Sequence, residues 1–453
     1  MKNTRTLNMT SGNPAHLLIV FALPMLVGNL FQQGYNLVDS IIVGKYVGSA
    51  ALAAVGATGS VTFLFFSVSY GISSGAGIVT SQYFGAGEDS RIRRAITNAA
   101  YIMFIASLAM GILAFIAAPW ILTLMETPAD ILPDAILYMR ISCLGVPLVG
   151  VYNYASSMLR ALGDSRTPLY FLILSCFLNI VMDLLFVCVF DMGVSGAAVA
   201  TIVAQFIAGG SCLLYAFKTN PYFKLSRSDF RIDRKVIYQS IRLGLPLSMQ
   251  SAMIAVSTSV LQAFVNSFGT AAVAAFTATS RIEQLIHQFY SSLGTSLATY
   301  AGQNCGAGKI DRIKAGLKHC LLMSAAFSLL MLVVNQLFGT PIISIFVDDP
   351  EVIQIGARAL RLTSWFYIFL GTIFITRSVL NGIGDAIFSF INGVVEMLSR
   401  IFLPMLMALI PTVGMWGIWW TAGLAWFISA VFCVLRYLSW RKKWKISQSL
   451  EDK

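Results

Sequence analysis

Four stretches of this sequence contain no charged residue: 46–87, 192–217, 243–280 and 401–435. About 20 helical residues cross the ~30 Å hydrocarbon layer of a bilayer, so each stretch is long enough to span one. That feature excludes an ordinary soluble domain. The expected class is an all-α integral membrane protein, because a spanning segment must satisfy its own backbone hydrogen bonds. Composition points the same way, with 57% hydrophobic and 11% charged residues against about 25% charged in soluble domains. The net charge of +11 raises the question of nucleic acid. The Lys and Arg residues fall between apolar spans and form no base-reading surface, so neither a nucleic-acid partner nor soluble enzyme chemistry is expected.

Apolar runs between charges and turn residues predict twelve transmembrane helices, near 15–42, 50–82, 95–118, 135–157, 168–189, 193–217, 237–264, 271–302, 316–338, 355–376, 387–410 and 414–437. Asn13-Pro14 fits the start of the first, as an N-cap followed by Pro at the first helical position. Lys2 and Arg5 precede that run without a small-residue cleavage site, which reads as a retained first helix. With a cytoplasmic N-terminus, 24 of the 31 Lys and Arg residues lie in inner segments, and the outer connections keep only Lys45 and Arg358. Basic residues collect on the cytoplasmic side, so the expectation is a multi-pass protein of the cell membrane, most simply a bacterial inner membrane, with both termini inside. The seven cysteines form no CxxC and lie mostly in apolar runs, where they read as small packing residues.

The chain repeats at an offset of 221. VGSAALAAVG (47–56) falls on FGTAAVAAFT (268–277) with five of ten positions identical, and QYFGAGEDSRIRR falls on QNCGAGKIDRIKA in the same register. Arg140 meets Arg361, and Gly163-Asp164 meets Gly384-Asp385. Two pseudo-symmetric six-helix lobes follow: an N-terminal lobe over 1–217, a basic cytoplasmic linker over 218–235, a C-terminal lobe over 236–440 and a basic cytoplasmic tail over 441–453. Six is an even number, so the repeat is parallel about an axis along the membrane normal, as in alternating-access carriers.

Leu23-Pro24 echoed by Leu245-Pro246, the VGSAALAAVG segment and the QYFGAG and QNCGAG loops resemble the MATE family, multidrug and toxic compound extrusion transporters. The resemblance covers essentially the whole chain. It implies a secondary active multidrug exporter, a likeness that carries antiport of cationic or amphipathic small molecules against inward H+ or Na+. It implies no cofactor beyond that coupling ion, and a monomer in the lipid bilayer. The alternative is a lipid-linked saccharide flippase of the same superfamily, which requires a strongly basic central cavity and often extra helices.

A charge at the bilayer centre costs about 2.5–3.5 kcal/mol on insertion scales, so each intramembrane charge asks for a partner or a purpose. Asp39 and Asp183 fall in the outer half of the N-terminal lobe, Asn179 and Asp183 share a helix face at i, i+4, and Thr201 lies at similar depth. Two carboxylates with amide and hydroxyl oxygens suit either Na+, at Asp39, Asn179 and Asp183, or a shared proton. The bland alternative is that each acid satisfies a neighbour such as Asn179, Gln32, Gln33 or Tyr35. The resemblance implies the first role: a family subgroup has an N-lobe cation site, matched here by Asp39, Asn153, Asn179, Asp183 and Thr201, with Gln32 and Tyr35 flanking.

The C-terminal lobe has no acid in 237–264 or 355–376, where another branch of the family carries coupling. It has Glu283 with His287, and Glu396 with Arg400, both at i, i+4. At the 221 offset Arg400 takes the position of Asn179, and Glu396–Arg400 reads as a structural ion pair. Glu283 and His287 read either as an internal network closed by Arg281 or as cavity groups. Phe31, Met249, Gln250 and Met253 are candidate cavity residues for varied substrates, against the alternative of plain helix packing. Pro24 removes a backbone donor and reads as a hinge or a static kink. Gly85-Ala86-Gly87 and Gly306-Ala307-Gly308 lack the Gly-Lys-Ser/Thr of a phosphate loop and read as tight turns. Gly71 and Gly75 read as a close helix contact.

Overall fold

The computed structural model describes residues 6–410 and 412–451. Lys2, Arg5 and Lys453 lie outside them, as do the side chains of Lys443 and Lys445. The described residues form helices α1 Pro14–Ile42, α2 Ser49–Ala86, α3 Asp89–Leu124, α4 Leu132–Leu144, α5 Val146–Ala161, α6 Arg166–Asp183 and α7 Gly193–Thr219. The second series is α8 Arg234–Asn266, α9 Thr270–Gly306, α10 Ile310–Ser344, α11 Pro350–Ser364, α12 Tyr367–Gly382, α13 Ala386–Ala408 and α14 Gly417–Glu451. Asn13 caps α1 as expected, its side-chain oxygen accepting from the Ala15 amide at 2.9 Å. The helix runs through Pro24 without interruption.

Two predicted spans are broken. The segment 135–157 divides into α4 and α5, bent by 45° at Gly145, and 355–376 divides into α11 and α12, bent by 52°. Gly145 removes a side chain and Pro147 removes a donor, so the first break has a local cause. The second, at Trp365-Phe366, has no such residue but falls at the repeat equivalent of the first. Among the described residues, nine helices and these two bent pairs are long and apolar enough to cross a membrane. The twelfth helix, α9, is 37 residues long and carries Arg281, Glu283 and His287, which make it more polar.

The chain divides into two compact units: Met1–Ser251 with Gly302–Lys309, and Ala252–Ala301 with Ile310–Lys453. In the first unit, a Cβ on Gly71 would meet Ser248, and one on Gly75 would meet the Gly244 backbone, so α2 and α8 touch main chain to main chain. The two Gly-Ala-Gly turns do more than turn. A Cβ on Gly85 would strike the Gln303 carbonyl oxygen, and one on Gly306 would strike that of Gln82, so the ends of α2 and α9 cross at repeat-related glycines.

An N-terminal strap closes over this crossing. The Leu7 amide donates to the Gly163 carbonyl at 3.2 Å, the Met9 amide to Gln303 Oε1 at 2.9 Å, and Lys309 Nζ to the Thr10 carbonyl at 2.9 Å. Met9 is fully buried. The linker is also held: Thr97, Tyr101 and Asn98 of α3 donate to the successive carbonyls of Asp229, Phe230 and Arg231. Burial opposes charge on Asp229, but the Ser226 amide and hydroxyl and the Arg93 and Arg94 guanidiniums outweigh it and hold the carboxyl below its ordinary range.

Candidate functional site

The α1 helix ends three residues after its half-buried acid, Asp39. Past Asp39 the chain widens into a π-helical turn, Val43–Val47, and past Asp183, the last residue of α6, it does so again over Leu184–Val189. Each carboxylate therefore sits where an α-helix gives way to a wider one, a local irregularity that recurs at functional sites. The two π segments pack on one another and on α7. Ile42, Val43, Val187 and Val194 seal them with an apolar cluster, against which Val38 and Tyr138 pack.

Inside that seal the carboxyl groups of Asp39 and Asp183 lie close enough to interact with each other. Asn179 Nδ2 donates to Thr201 Oγ1 at 3.2 Å, which commits the amide's donor side and leaves its oxygen. Asn179 and Asp183 are both buried. Asp39 Oδ1, Asn179 Oδ1 and both oxygens of Asp183 are buried acceptors that receive no hydrogen bond among the described residues. Two adjacent carboxylates away from water repel one another and are costly to ionise together. A proton shared between them, or a small monovalent cation, removes both costs. The oxygen-only donor set fits a hard cation. Among the described residues no cluster of three His, Cys, Asp or Glu side chains forms a transition-metal site.

The structure brings four of the expected residues together: Asp39, Asn179, Asp183 and Thr201. Tyr35 is buried and lies near Gln32 and Gln205 of α7. Asn153 is half-buried on α5, with no hydrogen bond to the other four among the described residues. Sequence reasoning missed Tyr138 of α4, which lies near Asp39 and Asp183, and it missed Gln205. Both are polar side chains inside predicted spans, and that depth was the available signal.

In the second unit Arg400 Nη2 donates to Glu396 Oε1 at 2.7 Å, and both residues are buried. Glu283 lies near Thr363 and within the field of the Arg400 charge. His287 forms no ion pair with Glu283 among the described residues; its ring lies 5.9 Å from Phe374 and 6.1 Å from Trp426. Arg281 is exposed and forms no ion pair among the described residues. Of the candidate cavity residues, Phe31 and Met249 are exposed, Gln250 is buried and Met253 is half-buried.

A repeated bundle with one acid pair in its first half is matched by the family model MatE, which fits residues 24–185 and again 246–406. The chain belongs to the MatE family. The two matched segments reproduce the internal repeat. Among MatE relatives, the chain is similar to a probable multidrug resistance protein, YpnP, of Bacillus subtilis (strain 168), at 29% identity covering 83% of this chain and 84% of that one. It is similar also to an FAD transporter of Shewanella oneidensis, at 26% identity over 81% of each chain. A solved structure described as MATE in the bent conformation shares the fold, with a TM-score of 0.90 at 21% identity, covering 98% of this chain and 99% of that one.

Proposed function

We propose that this MatE-family protein is a secondary active multidrug exporter that antiports cationic or amphipathic small molecules against inward H+ or Na+ by alternating access, with no enzymatic step and no cofactor. The observation that carries the reading is the Asp39–Asp183 pair, with its acceptor oxygens and no donor to match them. The multidrug-resistance name of the Bacillus subtilis relative supports the substrate class. Asp39, Asn179, Asp183 and Thr201 hold the coupling ion, Asn153, Gln32 and Tyr35 flank it, and Pro24 is the hinge through which α1 responds. The lobes 1–217 and 236–440 are the moving bodies. Phe31, Met249, Gln250, Met253, Glu283 and His287 contact substrate, and Glu396–Arg400 is structural. The protein works as a monomer in a bacterial inner membrane with both termini in the cytoplasm, as its basic inner segments favour.

The test is ethidium uptake into inverted vesicles, with a pH gradient and a sodium gradient imposed separately. One gradient drives uptake in the wild type. Asp39→Asn keeps the side chain's size and removes its charge, so it abolishes driven uptake while the protein still reaches the membrane. Full ethidium resistance in cells carrying Asp39→Asn would sink coupling at this site.

A further inference from the structure

The second unit contains a groove of about 560 Å³ between α10, α12 and α14, and its two ends differ in chemistry. One end carries Lys314, Lys318 and Arg441. Lys314 and Lys318 are one turn apart on the same face of α10, close to its start at Ile310. Lys318 and Arg441 are exposed and form no ion pair among the described residues. Lys314 pairs with Asp311 at 2.7 Å, but that acid is almost wholly exposed and stands outside the groove lining. An exposed pair of this kind is worth little and leaves Lys314 with donors to spare.

Beyond the cations the groove becomes apolar. Leu321 and Ala325 continue the α10 face, and Ile368 and Tyr437 supply the walls from α12 and α14. Thr372 also lines it, but its hydroxyl is turned back onto the Ile368 carbonyl at 2.7 Å. Lys318 and Ala325 are seven residues apart, about 10 Å of helix rise, so the apolar length runs well into the hydrocarbon from a headgroup-level cluster of charge. Tyr437 stacks near Trp440 at 5.9 Å, an aromatic pair of the kind that favours a membrane interface.

We propose that this groove is a binding site for one anionic phospholipid, its phosphate held by Lys318, Arg441 and Lys314 and one acyl chain laid along Leu321 and Ala325. A free phosphate would use the cations and leave the apolar length unexplained. A neutral lipid would use the apolar length and leave Lys318 and Arg441 without an anionic partner. Under the orientation proposed above, the lipid comes from the cytoplasmic leaflet, where anionic headgroups and basic side chains attract one another. The proposal does not depend on what the protein transports.

The test is native mass spectrometry of the delipidated full-length protein, titrated with palmitoyl-oleoyl phosphatidylglycerol, with the phosphatidylcholine of the same chains, and with glycerol 3-phosphate. The wild type should retain one phosphatidylglycerol at least tenfold more tightly than phosphatidylcholine, and glycerol 3-phosphate should not displace it. Lys314→Gln/Lys318→Gln/Arg441→Gln should bring the two lipids to equal affinity. Ala325→Trp keeps every charge but fills the apolar length, and should weaken both lipids about fivefold or more, which gives a second readout if the triple variant does not fold. Equal affinity for both lipids in the wild type would overturn the proposal, as would unchanged selectivity in a folded triple variant. Displacement by glycerol 3-phosphate at concentrations near those of the lipid would do the same, by reducing the site to one for a free phosphoryl anion.

Discussion

Arg400 stands one repeat after Asn179, so the same helix face that presents an amide oxygen in the first half presents a fixed positive charge in the second. Glu396 neutralises it at 2.7 Å, and one repeat after Asp183 there is Pro404 in place of an acid. Removing Glu396 alone strands a buried guanidinium, a loss of about 3–5 kcal/mol. Glu396→Gln is therefore expected to lower expression and the thermal midpoint in detergent, while Glu396→Gln/Arg400→Gln recovers most of both. A double variant that folds normally yet does not transport would show that the pair does more than hold the helix. Both members were legible in the sequence because i, i+4 spacing is a local fact. Tyr138 was not, because its approach to Asp39 and Asp183 depends on how α4 packs against α2 and α7.

Most helices were legible to within several residues, since charge-free length is read directly along the chain, but the last runs on to Glu451, well past the expected end at 437. Their irregularities divide by cause. The break at Gly145 has Gly and Pro beside it, whereas the break at Trp365-Phe366 is visible only through the repeat, and the π segments after Asp39 and Asp183 have no residue signature. A π turn arises where tertiary packing favours the wider register, and single-sequence patterns do not carry that information. The Gly-Ala-Gly turns give a test at this scale. Gly87 has φ of +71° and open space around its Cβ position, so Asn, which tolerates the left-handed region, should fit. Gly85 lies against the Gln303 carbonyl, where any Cβ forces two main chains apart. Gly85→Ala should destabilise by about 1–3 kcal/mol and lower the thermal midpoint clearly more than Gly87→Asn; equal midpoints would mean that the crossing is loosely packed.

For the molecule as a transporter, the reading above makes ion and drug competitors. The membrane potential supplies about 2.3 kcal/mol per charge for each 100 mV, before any chemical gradient is added. Loading a cation between Asp39 and Asp183 should weaken the hold on a cationic drug, and linkage then requires the drug to weaken ion binding by the same factor. Drug affinity measured in detergent from pH 5 to 9, and separately against sodium at constant ionic strength, should fall along at least one axis; a flat response on both would remove competition as the mechanism. The amino-terminal strap bears on how such measurements are made. Leu7, Met9 and Thr10 are tied by their main chain to Gly163, Gln303 and Lys309, and Met9 is wholly enclosed. An affinity tag or fluorescent fusion placed ahead of residue 6 pulls on those bonds at the crossing of α2 and α9, so the same handle at opposite ends of the polypeptide should report different activities, with the carboxyl-terminal version closer to the untagged protein.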